Sequence, residues 1–393
     1  MDPRTNPYSP GAGTPPPELA GRADLINRAG IALDRIRARR SARSFIFYGL
    51  RGVGKTVLLI KIRQDAESRG CSCVWVEAPE ERSLPALLLP PLRAALIRLS
   101  AGEAAKARLE KAMIALSSFA NAMKVRYQDF ELAMDYQPQK GVADSGDLEN
   151  DLSELLEKVG EAALERGTAI VMFIDELQYL EEEHLAALIT ALHRISQAQL
   201  PVTLVAAGLP QLLGQTGRAK SYAERLFEFI HIDSLDEKSA REAICVPAER
   251  ARVLYDTGAV NEILKQTKCY PYFLQEWGKH SWNMAVSSPI MFQVAKDATG
   301  AALAELDSSF FRVRFDRLTP MEKRYVRAMA ELGEGPHRSG DIANLLGKDV
   351  SAVAPLRSNL ISKGMIYSPA FGDTSFTVPL FDGFLKRIMP RFE

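Results

Sequence analysis

The chain has 393 residues, enough for two or three domains that each bury a core, and its 49 Lys and Arg are balanced by 49 Asp and Glu. That balance excludes a global field announcing nucleic acid or a membrane as partner, so any such surface must be a local patch. Cys71, Cys73, Cys245 and Cys269 form no C-x-x-C pair and the five histidines are scattered, which argues against a disulfide framework or structural zinc and fits a reducing cytoplasm.

The first nineteen residues, "MDPRTNPYSPGAGTPPPEL", lack the basic and apolar regions of a signal peptide. Rich in Pro, Gly and Ser, residues 1–19 are expected to be extended, lying over the rest of the molecule or disordered. Nowhere do about 18 apolar residues run without interruption, which argues against a membrane span. From Leu19 apolar residues recur at helical spacing through "LAGRADLINRAGIALDRIRARR". Five apolar runs follow, read as strands at 44–49, 71–78, 169–176, 202–209 and 229–235 and separated by helical patterns. Near-continuous apolar strands alternating with helices predict an α/β core at 20–235, built on a mainly parallel five-stranded sheet covered on both faces.

After the first strand comes "GLRGVGKT", Gly49 to Thr56, which matches G-x-x-x-x-G-K-[ST]. A strand-to-helix turn needs one glycine at most. Here Gly49, Gly52 and Gly54 let backbone N–H groups turn inward around phosphate oxygens, with Val53 and Val57 in the same cradle. The helix N-terminus adds partial positive charge, Lys55 reaches the β and γ phosphates of ATP, and Thr56 ligates Mg²⁺. The rival reading is a plain turn between a strand and a helix.

Between the second and third strands, residues 100–146 read as an insertion. It holds helical patterns, a hairpin-like alternation in "KVRYQDFELAMDY" and a loop from Gly141 to Gly146, with Asp147 or Ser145 capping the next helix. The third strand, "AIVMFIDEL", ends in two carboxylates. Asp175 suffices to hold Mg²⁺ through water. Glu176 beside it can polarise an attacking water as a base, which favours hydrolysis, or it can merely favour a helix N-terminus. Gln178 either orients water or is an exposed helix residue.

Residues 236–318 show helical periodicity alone, broken near Pro271 and at "SSPI", and predict an all-α lid in which Trp277 and Trp282 are core. Residues 319–393 read as helix, helix, helix and hairpin, the order of a winged helix. Pro355 limits where its second visible helix can start. Arg357, Asn359 and Lys363 are placed to face a groove of double-stranded DNA while Leu356, Leu360 and Ile361 pack inward. Ten Lys and Arg oppose eight Asp and Glu here, so the excess is small. Tyr367 and Phe371 read as wing-packing residues.

The phosphate loop, the "DE" strand and the order of core, lid and wing together resemble the AAA+ and STAND-type P-loop ATPases related to archaeal and origin-recognition ATPases, from about residue 18 to the end. The resemblance implies that the segment around Gly21 and Arg22 lies near the adenine and that Pro271, in "CYPYF", packs by the base. It also implies that Arg225, in "SYAERLFEF", is an arginine finger reaching the γ-phosphate of a neighbouring copy in a homo-oligomer. Such fingers are worth about 10³ to 10⁵ in rate where they act. The rival for Arg225 is a pairing with Glu224 or Glu228. Cys269 stands where the family's lid motif has glycine, no lid arginine that senses γ-phosphate is evident, and "VAAGLPQL" offers no polar sensor. The expected function is ATP binding and hydrolysis to ADP, with nucleotide state positioning a DNA-binding winged helix. The alternative is a nucleotide-gated switch or scaffold with little hydrolysis, whose wing contacts protein.

Overall fold

The computed structural model describes residues 1–11, 13–79, 82–100, 106–125 and 136–392. Strands β1 (Ser44–Tyr48), β2 (Ser72–Glu77), β3 (Ile170–Asp175), β4 (Val202–Gly208) and β5 (Phe227–His231) form one sheet in the order β2-β3-β4-β1-β5. Every pairing in it is parallel. Side chains alternate across the pleat, and the sequence supplies apolar residues to both sides. Phe45, Phe47, Val171 and Phe173 join a core with the helices Ala23–Arg37 and Lys55–Ser68. Ile46, Val74, Met172 and Leu204 join a second core with the helices Leu84–Leu99, Leu148–Glu165 and Glu182–Gln197.

The fifth strand begins two residues before the expected 229 and ends at His231 rather than 235. Its register is set by Phe227 opposite Ser44, and just beyond it the Asp233 carboxylate takes the N–H of Ser234, which turns the chain out of the ladder. Of the two caps considered for the helix before β3, Asp147 is the one used: its side chain accepts from the N–H of Asn150 at 2.8 Å. The insertion contains the helix Lys106–Ala122, while the expected hairpin at 124–136 lies mostly outside the described residues.

The N-terminal segment is fastened to the rest of the chain through Asp2, Asn6 and Tyr8. Trp282 Nε1 donates to the Asp2 carbonyl at 3.1 Å, Asn6 Nδ2 reaches the Lys279 carbonyl at 3.0 Å, and the buried Tyr8 hydroxyl donates to the Ile244 carbonyl. Four helices, Glu237–Arg250, Thr257–Thr267, Pro271–Met284 and Phe292–Leu306, stack beside the sheet with Trp277 and Trp282 in their core. A π-helical turn, Asp307–Phe311, and a short helix, Arg312–Asp316, lead out of them.

The C-terminal region is winged-helix-like. Helices Pro320–Glu331, Ser339–Leu345 and Val350–Ser362 accompany a small antiparallel sheet of β6 (His337–Arg338, between the first two helices), β7 (Ile366–Tyr367) and β8 (Asp373–Phe376) in the order β6-β8-β7. Pro355 does not set the start of its helix, which begins at Val350 and runs through the proline. On an exposed face the missing N–H costs one intrahelical hydrogen bond and leaves no buried group unpaired. No described helix is long and apolar enough to cross a membrane.

Candidate functional site

At the C-terminal end of β1 the chain turns through Gly49–Gly54 into the helix Lys55–Ser68. Gly52 and Gly54 hold φ of +85° and +89°, a conformation in which any other residue is strained, and a side chain at Gly54 would stand in open space. The loop is open at Gly54, while at Gly52 a side chain would press on Tyr270 and Tyr272. Gly49 lies behind it: its N–H donates to the Gly208 carbonyl of β4 at 3.2 Å, and it does not line the cavity.

Lys55 is 7% exposed and its Nζ donates to the carbonyls of Gly49 at 2.9 Å and Leu50 at 2.8 Å. Burial lowers its pKa to about 8 against the opposing pull of Glu176 and Asp175. Thr56 Oγ1 donates to Asp175 Oδ2 at 2.5 Å. Burial raises the Asp175 carboxyl, and the Thr56 hydrogen bond is the largest effect holding it down. A hydroxyl and a carboxylate in contact, both oxygen donors, suit a hard cation such as Mg²⁺.

Glu176 has a φ of +53° and lines the cavity. Arg51 Nη1 lies 3.4 Å from its Oε1, and Gln178 donates to its Oε2. Gln178 is neither an exposed residue nor part of the cavity wall: it is 5% exposed, and its Oε1 accepts the N–H of Leu209 at 3.0 Å. It closes the end of β4, where the sequence offers no polar side chain, and steadies Glu176.

Lys55, Thr56 and Glu176, though not Asp175, open onto a cavity of about 510 Å³ lined also by Gly52, Val53, Gly54 and Val57, with Arg22 and Pro271. Arg22 Nη2 donates to the Asp233 carbonyl at 2.6 Å. The sequence reading missed several of the remaining walls. Ser9, Pro10, Gly11, Gly13 and Thr14 line the cavity, so close that a methyl group on Gly13 would lie 3.4 Å from Thr56 Cγ2. Tyr272 and Phe310 stack with ring centres 4.7 Å apart, and Arg314 lies 3.9 Å over the Phe310 ring. Burial first and Arg51 second push the Arg314 guanidinium down to about 10, still protonated at neutral pH. Arg314 thus brings a cation to the cavity wall from a position whose only signal in the sequence is the aromatic and basic run "FFRVRF". Arg51 fills a wildcard of the loop motif, so spacing cannot single it out.

The fit to a nucleotide with magnesium follows from this lining. Arg22, Arg51, Lys55 and Arg314 outnumber Glu18 and Glu176, which favours an anion, while Leu19, Leu235, Ala243, Pro271 and Tyr272 offer the apolar and aromatic surface a base requires.

Other expected site residues lie elsewhere. Arg225 is exposed in the helix Ala223–Leu226, just before β5, at the opposite end of the sheet from the loop. Its expected rival pairing is not formed among the described residues, and Glu228 pairs with Arg28 instead. Arg357, expected to face a DNA groove, is engaged within the chain. Its Nε donates to Thr374 Oγ1 at 2.9 Å and its Nη2 to Ser368 Oγ at 2.7 Å and the Asp373 carbonyl at 2.9 Å, pinning the helix to the hairpin. Lys363 is likewise engaged, with Glu322 at 2.7 Å and the Arg317 carbonyl at 3.2 Å. Asn359 alone of the three is exposed. Leu360 is buried, with Leu356 and Ile361 packed against the core. Phe371 packs on nothing: it is fully exposed at the hairpin tip, because Gly372 turns the chain immediately after it.

Residues 18–205 match the family model described as AAA ATPase domain, and residues 308–385 match a family described as a domain of unknown function. No curated protein matches the chain in sequence. Among solved structures, a Walker-type ATPase of Pyrococcus abyssi is similar over 95% of this chain and 97% of its own, with 15% identity and a TM-score of 0.55. The Aeropyrum pernix Orc1 protein in complex with DNA shares 16% identity over 94% of this chain and 93% of its own, at a TM-score of 0.47. The Thermotoga maritima RuvB Holliday junction branch migration motor shares 15% identity over 94% and 95%, at a TM-score of 0.45. At such identity the likeness to the first is one of fold.

Proposed function

We propose, on the premise that residues 18–205 are an AAA+ P-loop ATPase domain, that the chain binds Mg²⁺ with ATP in this cavity and hydrolyses the ATP to ADP and phosphate. The observation that carries the reading is the meeting of Lys55, Thr56, Asp175 and Glu176 at one end of a parallel sheet, around a glycine cradle opening into a basic cavity. Magnesium held by Thr56 and Asp175 would supply charge neutralisation at the phosphates. Lys55, Arg51 and Arg314 bring positive charge to that side, and Arg22 and Pro271 flank the base. Glu176 accepts the proton of the attacking water once Arg51 releases its carboxylate. Arg225, remote from the cavity of its own chain, acts only on a neighbouring copy in a homo-oligomer.

A second reading, a nucleotide-gated switch with little turnover, is favoured by the seat of the winged-helix-like region. The N–H of Arg51, within the phosphate loop, donates to the Thr377 carbonyl at 3.0 Å, and Gly364 abuts the side chains of Arg51 and Tyr179. Nucleotide occupancy and wing position share one residue.

Phosphate release by the intact chain and by Glu176→Gln, with and without duplex DNA across a range of salt, separates the readings. Hydrolysis with Glu176 as base predicts a loss of about 10² or more in rate with nucleotide binding retained. DNA contact predicts a salt-dependent stimulation by the duplex. Equal release from both proteins removes the role of Glu176, and tight binding without turnover under any condition leaves the switch.

A further inference from the structure

Away from the nucleotide cavity, the helices Pro271–Met284 and Phe292–Leu306 bring Glu276, His280 and Glu305 together, with one ligand atom of each lying within 4.8 Å of the others. Glu276 and His280 are four residues apart and so share one helix face. Glu305 enters from the facing helix. We propose that these three side chains bind one divalent transition-metal cation of the zinc or manganese type.

The assignment of hydrogen-bond partners carries the case. Glu276 Oε1 accepts from the Tyr272 hydroxyl at 3.3 Å, and Glu305 Oε1 accepts from Lys279 Nζ at 2.6 Å. The remaining atoms, Glu276 Oε2, His280 Nε2 and Glu305 Oε2, face one another. His280 Nε2 lies 2.9 Å from Glu305 Oε2 and 3.8 Å from Glu276 Oε2. Glu276 is only 4% exposed and its Oε2 is buried without a hydrogen bond, while His280 Nε2 has Glu305 Oε2 at hydrogen-bond distance. Buried acceptors aimed at one point are costly unless a cation or donor lies between them. Lys279, 3.7 Å from Glu276 Oε2 and in contact with Glu305, is one ammonium shared between two carboxylates.

Zinc with bonds of about 2.0–2.1 Å holds its ligand atoms roughly 3.3 Å apart, so closing this triangle needs only small side-chain shifts. An imidazole with two carboxylates selects zinc, manganese, iron or cobalt over magnesium and calcium. The half-exposed Glu305 leaves a route in from solvent and room for water as a further ligand. The outer oxygens are held by Tyr272 and Lys279, as second partners of metal-bound carboxylates are. Cysteine and histidine spacing missed this cluster because two of its ligands are glutamates. A bound cation would clamp the two helices, and through Tyr272 it would touch the wall of the nucleotide cavity.

The test is Zn²⁺ binding to the full chain without nucleotide, in excess Mg²⁺ to fill hard-oxygen sites, together with the visible absorption of added Co²⁺. One Zn²⁺ per chain is expected, along with Co²⁺ bands that Zn²⁺ displaces and a loss of tenfold or more in affinity in both Glu305→Gln and His280→Gln. Glu305 is half-exposed, so its variant keeps the test decisive should the histidine variant fail to fold. Absence of stoichiometric binding, or wild-type affinity in Glu305→Gln, overturns the proposal.

Discussion

Lys55 is the residue on which the site turns, and its burial has a measurable consequence. A lysine that titrates near pH 8 in the free protein is protonated below that value whether or not an anion is present, so Lys55 adds no pH dependence to nucleotide affinity there. Above pH 8 the free ammonium has lost its proton and a phosphate must restore it, so ADP affinity falls with rising pH by up to about tenfold per unit. Calorimetric titrations at several pH values check this, and an affinity that rises or stays flat from pH 8 to 9.5 contradicts it. Linkage gives the nucleotide-free fold the opposite trend from this group. Unfolded lysine keeps its proton up to about 10.5, so between 8 and 10.5 the unfolded state binds more protons and stability rises with pH. Lys55, Thr56, Asp175 and Glu176 were legible in the sequence because phosphate chemistry demands those residue types at fixed spacing. Arg51 and Arg314 were not, since one occupies a variable loop position and the other reaches the cavity from more than 250 residues away.

Among the elements, the strands of the central sheet were readable because burial on both faces imposes apolar runs that surface helices lack. Register and edges were less so: β5 is placed by its pairing with β1, which no local pattern encodes. The C-terminal helix Val350–Ser362 shows the same limit from another side. Its basic residues looked free because sequence does not reveal that Thr374 and Asp373 stand opposite Arg357, or that Glu322 stands opposite Lys363. Arg357 is therefore a fastener of helix to hairpin. Arg357→Ala removes three hydrogen bonds made by a charged group and leaves the buried Thr374 hydroxyl short of a donor, so a loss of about 1–3 kcal/mol is expected in chemical denaturation. Stability equal to the parent chain would return Arg357 to the surface and to the pool of DNA contacts.

For the molecule as a whole, three segments distant in sequence converge on the phosphate loop. The N-terminal segment lines the cavity with Ser9, Gly13 and Thr14, the Arg312–Asp316 helix supplies Arg314, and the winged-helix-like region rests on Arg51 through Thr377. A nucleotide entering this site meets all three, and it can bias their arrangement only as far as it binds one arrangement better than another. The role of the Pro- and Gly-rich start as a cavity wall was not legible, because its anchors, Tyr8 on Ile244 and Trp282 on Asp2, are long-range contacts. The account rests first on the cavity holding Mg·ATP. Isothermal titration of the full chain with Mg·ATP, beside Lys55→Ala and with melting curves for both, tests that most directly. One site per chain, thermal protection by the nucleotide and loss of both in a folded Lys55→Ala chain are predicted. An intact chain that takes up no Mg·ATP, or a Lys55→Ala chain that binds it equally well, would contradict the account.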